Sequence, residues 1–582
     1  MPTETNTLTI TADYEVAASQ HLIFTNQIAF AVSQAHTPIL PPPHLRIAGN
    51  VEVLMTSAEA VGATGIVGIG LSNTFEGTPR FTIDPGGILK VSAAGGSATG
   101  YFGGGTAAPR FDNAGDILIE ADGAARGLVN NVNLGVLTNS GQVTVTSTTA
   151  DALGLRASGY GMQVHNSGTI TVTGHGQVTG VDMGIGSRQV FYNSGTIVAR
   201  AIASNQPSVG VYWDNSPQPG QEHSFVNDGL IQADRALETY STHGAAAENL
   251  IFNNGRLIGG VWLGGGGAQT LVNNGSVEGT VRMIGAGSVY DGRNGVALGM
   301  ITGSNNGGNT FLGGVGAESM TGGFSNDTIY GADGDDFIDG GGGADRLEGG
   351  AGVNTLSFVS LTSGVLVDVA TGTAGAGAGA DTFSGFSRIL GSTRNDTIVG
   401  SGGYDYLRGA EGNDSIEGAA GFDDLHGNMG DDTVRGGGGP DWVVGGQNND
   451  MLYGDDDADY VVANLGSDTC YGGEGGDTLL GGQAEDLLFG EAGDDWLSGD
   501  RGADTISGGT GADRFVVFTG SGVDLVTDFN VAEGDWVSIE GGAAYSLAQQ
   551  GADAVITTSN GDQLVLLNTT ATTLPPGSIF VT

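Results

Sequence analysis

Residues 472–498 read GGEGGDTLL GGQAEDLLF GEAGDDWLS, one nine-residue phrase written three times with small departures: Gly-Gly-x-Gly-x-Asp-x-apolar-x. Traced outward, the phrase holds its phase from 391 to 516. Its sixth residues are Asp396, Asp405, Asp414, Asp423, Asp432, Asp441, Asp450, Asp459, Asp468, Asp477, Asp486, Asp495, Asp504 and Asp513, fourteen in fourteen repeats. Two residues beyond each stands an apolar residue, among them Ile398, Leu425, Leu452, Cys470 and Leu497. Two such repeats make one coil, six residues of turn and three of strand, twice over. Only the central strand residue then packs inward, and one coil alone buries too little to stand.

The aspartates suit a hard cation. Calcium takes six to eight oxygens at about 2.3–2.6 Å, and a glycine-rich turn offers backbone carbonyls beside one carboxylate. Stacking sets each turn beside the turn two repeats on, so that Asp396 and Asp414, or Asp405 and Asp423, flank one ion; the run offers twelve such pairs. Magnesium, which demands a tight octahedron, fits less well. A merely acidic, solubilising surface would not require fourteen carboxylates in one phase with glycines at fixed offsets.

In these repeats the sequence resembles the RTX (repeats-in-toxin) family of calcium-binding, type I-secreted bacterial proteins. The resemblance covers 322–357 and 391–516, and the tail is similar to the capping segment of RTX rolls in serralysin-type proteases. It implies a parallel β-roll that folds on meeting calcium outside the cell, an uncleaved C-terminal export signal and an extracellular or cell-surface location. Ala463 at a first-glycine position, Asn464 beside it and Asn354 at a metal position depart from the pattern.

A shorter block precedes the run, with Asp327, Asp336 and Asp345 as further metal candidates, Asn354 in a fourth repeat and decayed forerunners at Asn309 and Glu318. Between the blocks, 358–390 breaks the phase and reads as an insertion. Over 101–300 a longer phrase recurs, as in LTNSGQVTVT (137–146) and VHNSGTITVT (164–173). Its asparagines, Asn113, Asn139, Asn166, Asn193, Asn227, Asn253 and Asn273, are separated by 26, 27, 27, 34, 26 and 20 residues. After each Asn-x-Gly corner the apolar residues alternate, as in a strand with one buried face. Asn and Gly both tolerate the left-handed backbone that a sharp corner can require. The pattern predicts a right-handed parallel β-helix of about seven coils with asparagines stacked at one corner.

The whole chain is therefore expected to be all-β. Residues 1–100 read as an irregular β-rich N-terminal cap, 101–303 as the β-helix, 304–357 as the first repeat block, 358–390 as the inserted segment and 391–516 as the main roll. Residues 517–582 read as a β cap that also carries the export signal the resemblance implies.

Composition narrows the function. Acids outnumber bases 64 to 19, for a formal net charge of −45, and Lys90 is the single lysine. Binding of nucleic acid or of an anionic membrane through a basic surface is excluded. Residues 321–516 alone hold 35 acids and 7 bases, a balance that asks for cations. One cysteine, Cys470, permits no internal disulfide, and its ladder position reads as core. No Sec-type leader and no run of 18 apolar residues appear, so neither a signal peptide nor membrane insertion is expected.

A β-helix joined to RTX repeats also looks like the alginate C5-epimerases. The Asp-Pro-His signature of those enzymes is not found: the nearest phrase, Asp84-Pro85-Gly86, lacks the histidine. There is no HExxH helix, GxSxG elbow or P-loop. The expectation is a non-enzymatic, calcium-binding surface protein of the S-layer type that self-associates and docks on a cell-surface polysaccharide. An adhesin or biofilm-matrix protein, and a polysaccharide epimerase or lyase, are the alternatives.

Overall fold

The computed structural model describes residues 80–582 apart from 95, 104–108, 132, 204–205, 215–222, 241–247 and 266. Before residue 80 it describes the segments 8–10, 14–16, 21–25, 30–32, 44–48, 50–55 and 69–71. The described chain is all-β, interrupted only by 3-10 turns at Glu540–Gly542 and Ala571–Thr573. Among the described residues no helix is long and apolar enough to cross a membrane. Two compact units divide it, Met1–Thr328 and Ile329–Thr582.

In the first unit each coil carries three strands. Val136–Asn139, Gln142–Ser147 and Ala152–Ala157 lie parallel to Gln163–Asn166, Thr169–Gly174 and Val178–Met183 of the next coil, residue for residue. Alternation in the sequence becomes alternation in space. Val143, Ile170, Ile197, Ile231, Leu257 and Val277 stack as one inner ladder, each fully buried. A second ladder runs through Phe191, Phe225, Ile251, Leu271, Tyr290 and Phe311. Such continuous apolar columns are the hydrophobic core of a solenoid, in which each coil is stabilised by its neighbours.

The corner asparagines form a buried hydrogen-bonded file. Each Nδ2 donates to the Oδ1 of the next, from Asn113 to Asn139 (2.7 Å) and onward through Asn166, Asn193, Asn227 and Asn253 to Asn273. The corner glycines differ from the sequence expectation. Gly141, Gly168 and Gly195 do not have positive φ; they are needed because a Cβ there would stand 2.0–2.1 Å from the carbonyl oxygen of the glycine one coil back. Close approach of stacked backbones, rather than a left-handed turn, selects glycine here.

Before residue 101, where the sequence suggests a cap with one or two irregular coils or a small separate β domain, the described strands take the coil scheme. His44–Ile47 pairs in parallel with Arg80–Ile83, and that strand with Arg110–Asn113. Asn50–Met55 pairs with Ile88–Ala93, and that with Asp116–Ala121. Most of the connecting residues before 80 lie outside the described residues.

The second unit has two strands per coil in an 18-residue register. Ile416, Val434, Leu452, Cys470, Leu488 and Ile506 form one inner column. Leu407, Leu425, Val443, Val461, Leu479, Leu497 and Phe515 form the other. Cys470 is wholly buried among them, which pushes its thiol pKa well up. The inserted segment adds strands Val365–Asp368, Thr373–Ala376 and Asp381–Ser384, antiparallel to one another. Its outer two strands remain parallel to Thr397–Val399 and Arg346–Glu348, so the stack continues across it. At the far end Gln563–Leu566 pairs with Val523–Val526, and Ile579–Val581 with Trp536–Ile539, which closes the roll with an antiparallel hairpin beside it.

Candidate metal centre

The nonapeptide turns bring the aspartates into two columns, one at each edge of the roll. In both, the backbone N–H of an aspartate donates to Oδ1 of the aspartate 18 residues on, at 2.7–3.0 Å, from Asp396 with Asp414 to Asp495 with Asp513. The carboxylates are at most 4% exposed. Their second oxygen is another matter. Oδ2 of Asp414, Asp423, Asp432, Asp441, Asp450, Asp459, Asp468, Asp477, Asp486, Asp495, Asp504 and Asp513 is buried with no hydrogen-bond partner.

Twelve orphaned carboxylate oxygens in one molecule would be ruinous for a fold that had nothing to place against them. A cation removes that cost. The first-position glycine of each repeat shows where oxygens converge: a Cβ on Gly436 would stand 2.5 Å from Asp441 Oδ2 and 2.6 Å from the Gly454 carbonyl oxygen. The same pair of atom types surrounds Gly409, Gly454 and Gly472. An anionic oxygen and a carbonyl oxygen meeting in a space too small for a methyl group make the donor set a hard divalent cation prefers.

Electrostatics point the same way. Burial, with the charge of neighbouring column members adding to it, pushes the carboxyls of Asp450, Asp459 and Asp486 up to about 8 and those of Asp414, Asp423 and Asp495 to about 7. Asp432, Asp441, Asp468, Asp477, Asp504 and Asp513 rise to about 6, again chiefly through burial. These groups resist carrying bare charge near neutral pH, and a bound cation or a proton relieves them.

Of the remaining sequence candidates, Asp396 and Asp405 are placed differently, whereas Asp327, Asp336 and Asp345 keep the column contact. Asp396 and Asp405 open the run, but their carboxylates accept hydrogen bonds from Ser392 and Ser401 of their own repeats. In the first block Asp327 accepts from the Asn309 amide side chain at 2.8 Å, Asp336 donates its N–H to Asn354 Oδ1, and Asp345 donates its N–H to Asp381 Oδ1. Asn354 keeps the column's backbone contact while its Nδ2 donates to the Gly350 and Gly385 carbonyls, so a donor occupies the place of the second carboxylate oxygen. Ala463 leaves Asp468 with the same geometry as its neighbours, and Asn464 takes the left-handed φ of 82° usual at its place.

Three column members lie outside the sequence reading. Asp381 sits in the inserted segment, Asp524 accepts from Asp504 N–H at 3.2 Å and Asp535 from Asp513 N–H at 3.1 Å. The signals are the phrases GAGADTF (377–383) and GSGVDLV (520–526), which keep Gly-x-Gly-x-Asp-x-apolar after the nine-residue phase has slipped.

The model of the RTX calcium-binding nonapeptide repeat matches at 304–337, 321–356, 390–425, 426–461, 444–479 and 480–515. These segments are RTX calcium-binding repeats. The RTX roll thus binds calcium, with several copies of the repeat to do so. No curated protein matches the chain. Among solved structures, the crystal structure of the extracellular lipase LipA from Serratia marcescens is similar at 15% sequence identity and a TM-score of 0.15, over 50% of this chain and 44% of the lipase. The chain therefore spans less than half the length of that relative.

Proposed function

We propose that this is a secreted structural protein of the bacterial surface, an S-layer-type subunit whose RTX roll is folded by calcium and which then associates with copies of itself. In this reading the ions lie in the two aspartate columns against the orphaned Oδ2 atoms, and the β-helix docks on a surface polysaccharide. Secretion rests on the export that RTX repeats usually accompany. Self-association rests on one observation: the roll carries aromatic side chains paired at its surface. Tyr404 and Phe422 stack at 5.9 Å between ring centroids while 52% and 51% exposed, and Trp442 meets Tyr460 edge-on at 5.6 Å while 46% and 40% exposed. Exposed aromatic groups of this kind mark surfaces that meet a partner. Folding neutralises the columns first, so assembly requires more calcium than folding does.

Light scattering and electron microscopy across a calcium titration test the proposal. Folded monomers at low calcium and sheets toward the millimolar range support it. Patchy fibres on washed cells, lost in chelator, would select an adhesin or matrix protein, and release of unsaturated or epimerised sugars from polyuronates by a persistent monomer would replace the structural reading with an enzyme.

A further inference from the structure

Along the main run, a column aspartate open to a cation goes with a left-handed backbone at the second residue of its repeat; in the inserted segment the Oδ2 of Asp381 lacks a donor although Gly377 has no positive φ, so it is the missing donor, and not the φ alone, that marks an open position. From Asp414 to Asp513 that residue is always left-handed, as at Ala410 (φ 89°), Asn428 (80°), Asp455 (79°), Gly482 (108°) and Glu491 (72°). In each of these repeats Oδ2 has no donor. Ser392 and Ser401 hold the same place before Asp396 and Asp405 but lie outside the left-handed region. Their N–H groups donate to Oδ2 at 2.6 Å, and their hydroxyls donate to the same carboxylates at 2.7 and 2.9 Å. Donors stand there where a cation would stand elsewhere.

The tail divides by the same criterion. Asp535 is closed, since the Asn530 N–H donates to its Oδ2 at 2.7 Å. Asp524 is open. Its second-position residue, Gly520, has a φ of 92°, its side chain is wholly buried, and its Oδ2 has no partner although Oδ1 accepts from Asp504 N–H. Two residues on, Val526 is buried in the inner column as the repeat pattern requires.

We infer that Asp524 holds a calcium ion beyond the last nonapeptide, and that Asp535 holds none. The ion lies at the root of the cap, because the strand Val523–Val526 pairs with Thr505–Ser507 of the roll on one side and Gln563–Leu566 of the cap on the other. It joins two carboxylates, Asp504 and Asp524, that otherwise oppose each other, so the cap is fastened to the roll by the same chemistry that folds the roll. This inference rests on the column reading of the calcium sites.

The test uses the full chain with calcium. Bound calcium is counted after desalting for the wild type, Asp524→Asn and Asp535→Asn, and anomalous difference peaks are located in calcium-grown crystals of the wild type. The expected result is a peak beside Asp524 Oδ2, a loss of one ion in Asp524→Asn with cleavage by protease newly appearing between about 517 and 523, and an unchanged count in Asp535→Asn. Peaks along Asp414 to Asp513 with none at Asp524, or an unchanged count in Asp524→Asn, overturn the inference alone. Absence of the interior peaks overturns the column reading itself. Should Asp524→Asn fail to fold, the wild-type peak decides.

Discussion

Adding one methyl group at Gly454 should remove calcium without replacing any aspartate. The new Cβ would stand 2.4 Å from Asp459 Oδ2 and 2.5 Å from the Gly472 carbonyl oxygen, where ordinary contact begins at 3.4 Å. Both oxygens must therefore retreat by about 1 Å, several times the roughly 0.3 Å spread of calcium–oxygen distances. Gly454 has no positive φ, so the effect is one of contact and not of backbone strain. Overpacking at a site that cannot relax costs about 1–3 kcal/mol, which for a unit of this size lowers the melting midpoint by roughly 2–12 °C. Gly454→Ala should also bind one or two fewer ions. The control is Gly402→Ala, in the same kind of turn, where a Cβ meets nothing within 4 Å and φ is again not positive. It should keep the calcium count and melt within about 1 kcal/mol of the wild type. Calorimetry in calcium and elemental analysis of the desalted protein read both quantities. Equal effects of the two substitutions would refute the convergence of oxygens at the first-position glycine.

In chelator the roll should gain structure as pH falls. The column carboxyls lie at about 6 to 8 when folded against an ordinary 3.8, so their contribution to stability is fully present below about 4 and is lost as pH rises through 6 to 8; circular dichroism that weakens on acidification from pH 8 to 5 would contradict this. Asn193→Ala breaks the asparagine file at two hydrogen bonds, of 2.6 and 2.7 Å; it leaves Asn227 Oδ1 without its donor and Asn166 Nδ2 with only the Gly168 carbonyl at 3.3 Å. It should cost about 2–4 kcal/mol with the calcium count unchanged, and a loss of calcium would show that the first unit and the columns are not independent. Leu452→Ala, in an inner column of the roll, should cost about 2–5 kcal/mol in calcium, which denaturant unfolding would measure.

The roll was legible because its period is invariant: Leu407, Leu425 and Val443 fall 18 residues apart in sequence and opposite one another in space. Residues before 101 obey the same stacking rule with unequal connections. Val51 pairs with Leu89, 38 residues on, and Leu89 with Ile117, only 28 on. Extra residues accumulate in loops while register is kept by the inner face, so periodicity fails as a signal although the coil does not. Asp381 and Asp524 escaped for a related reason, each lying just after a slip of phase that the stack absorbs. The closure of Asp396 by Ser392 was beyond reading in any case, since it depends on the sign of one φ angle that serine leaves open.

The asparagine file has a direction. Every amide passes its hydrogen toward the C-terminal neighbour, from Asn113, whose own Oδ1 is buried without a donor, to Asn273, whose Nδ2 lies 3.4 Å from the Tyr290 hydroxyl. Aligned amide dipoles polarise one another, so an interior rung is worth more than a terminal one. A coil copied between Asn166 and Asn193 would meet the Nδ2 donor of Asn166 on one side and the Oδ1 acceptor of Asn193 on the other, the same partners that each had before. Gene duplication by whole coils is thus nearly free of structural penalty, whereas gain or loss of a fraction of a coil severs the file, and lineages carrying this architecture should differ in length by multiples of a turn.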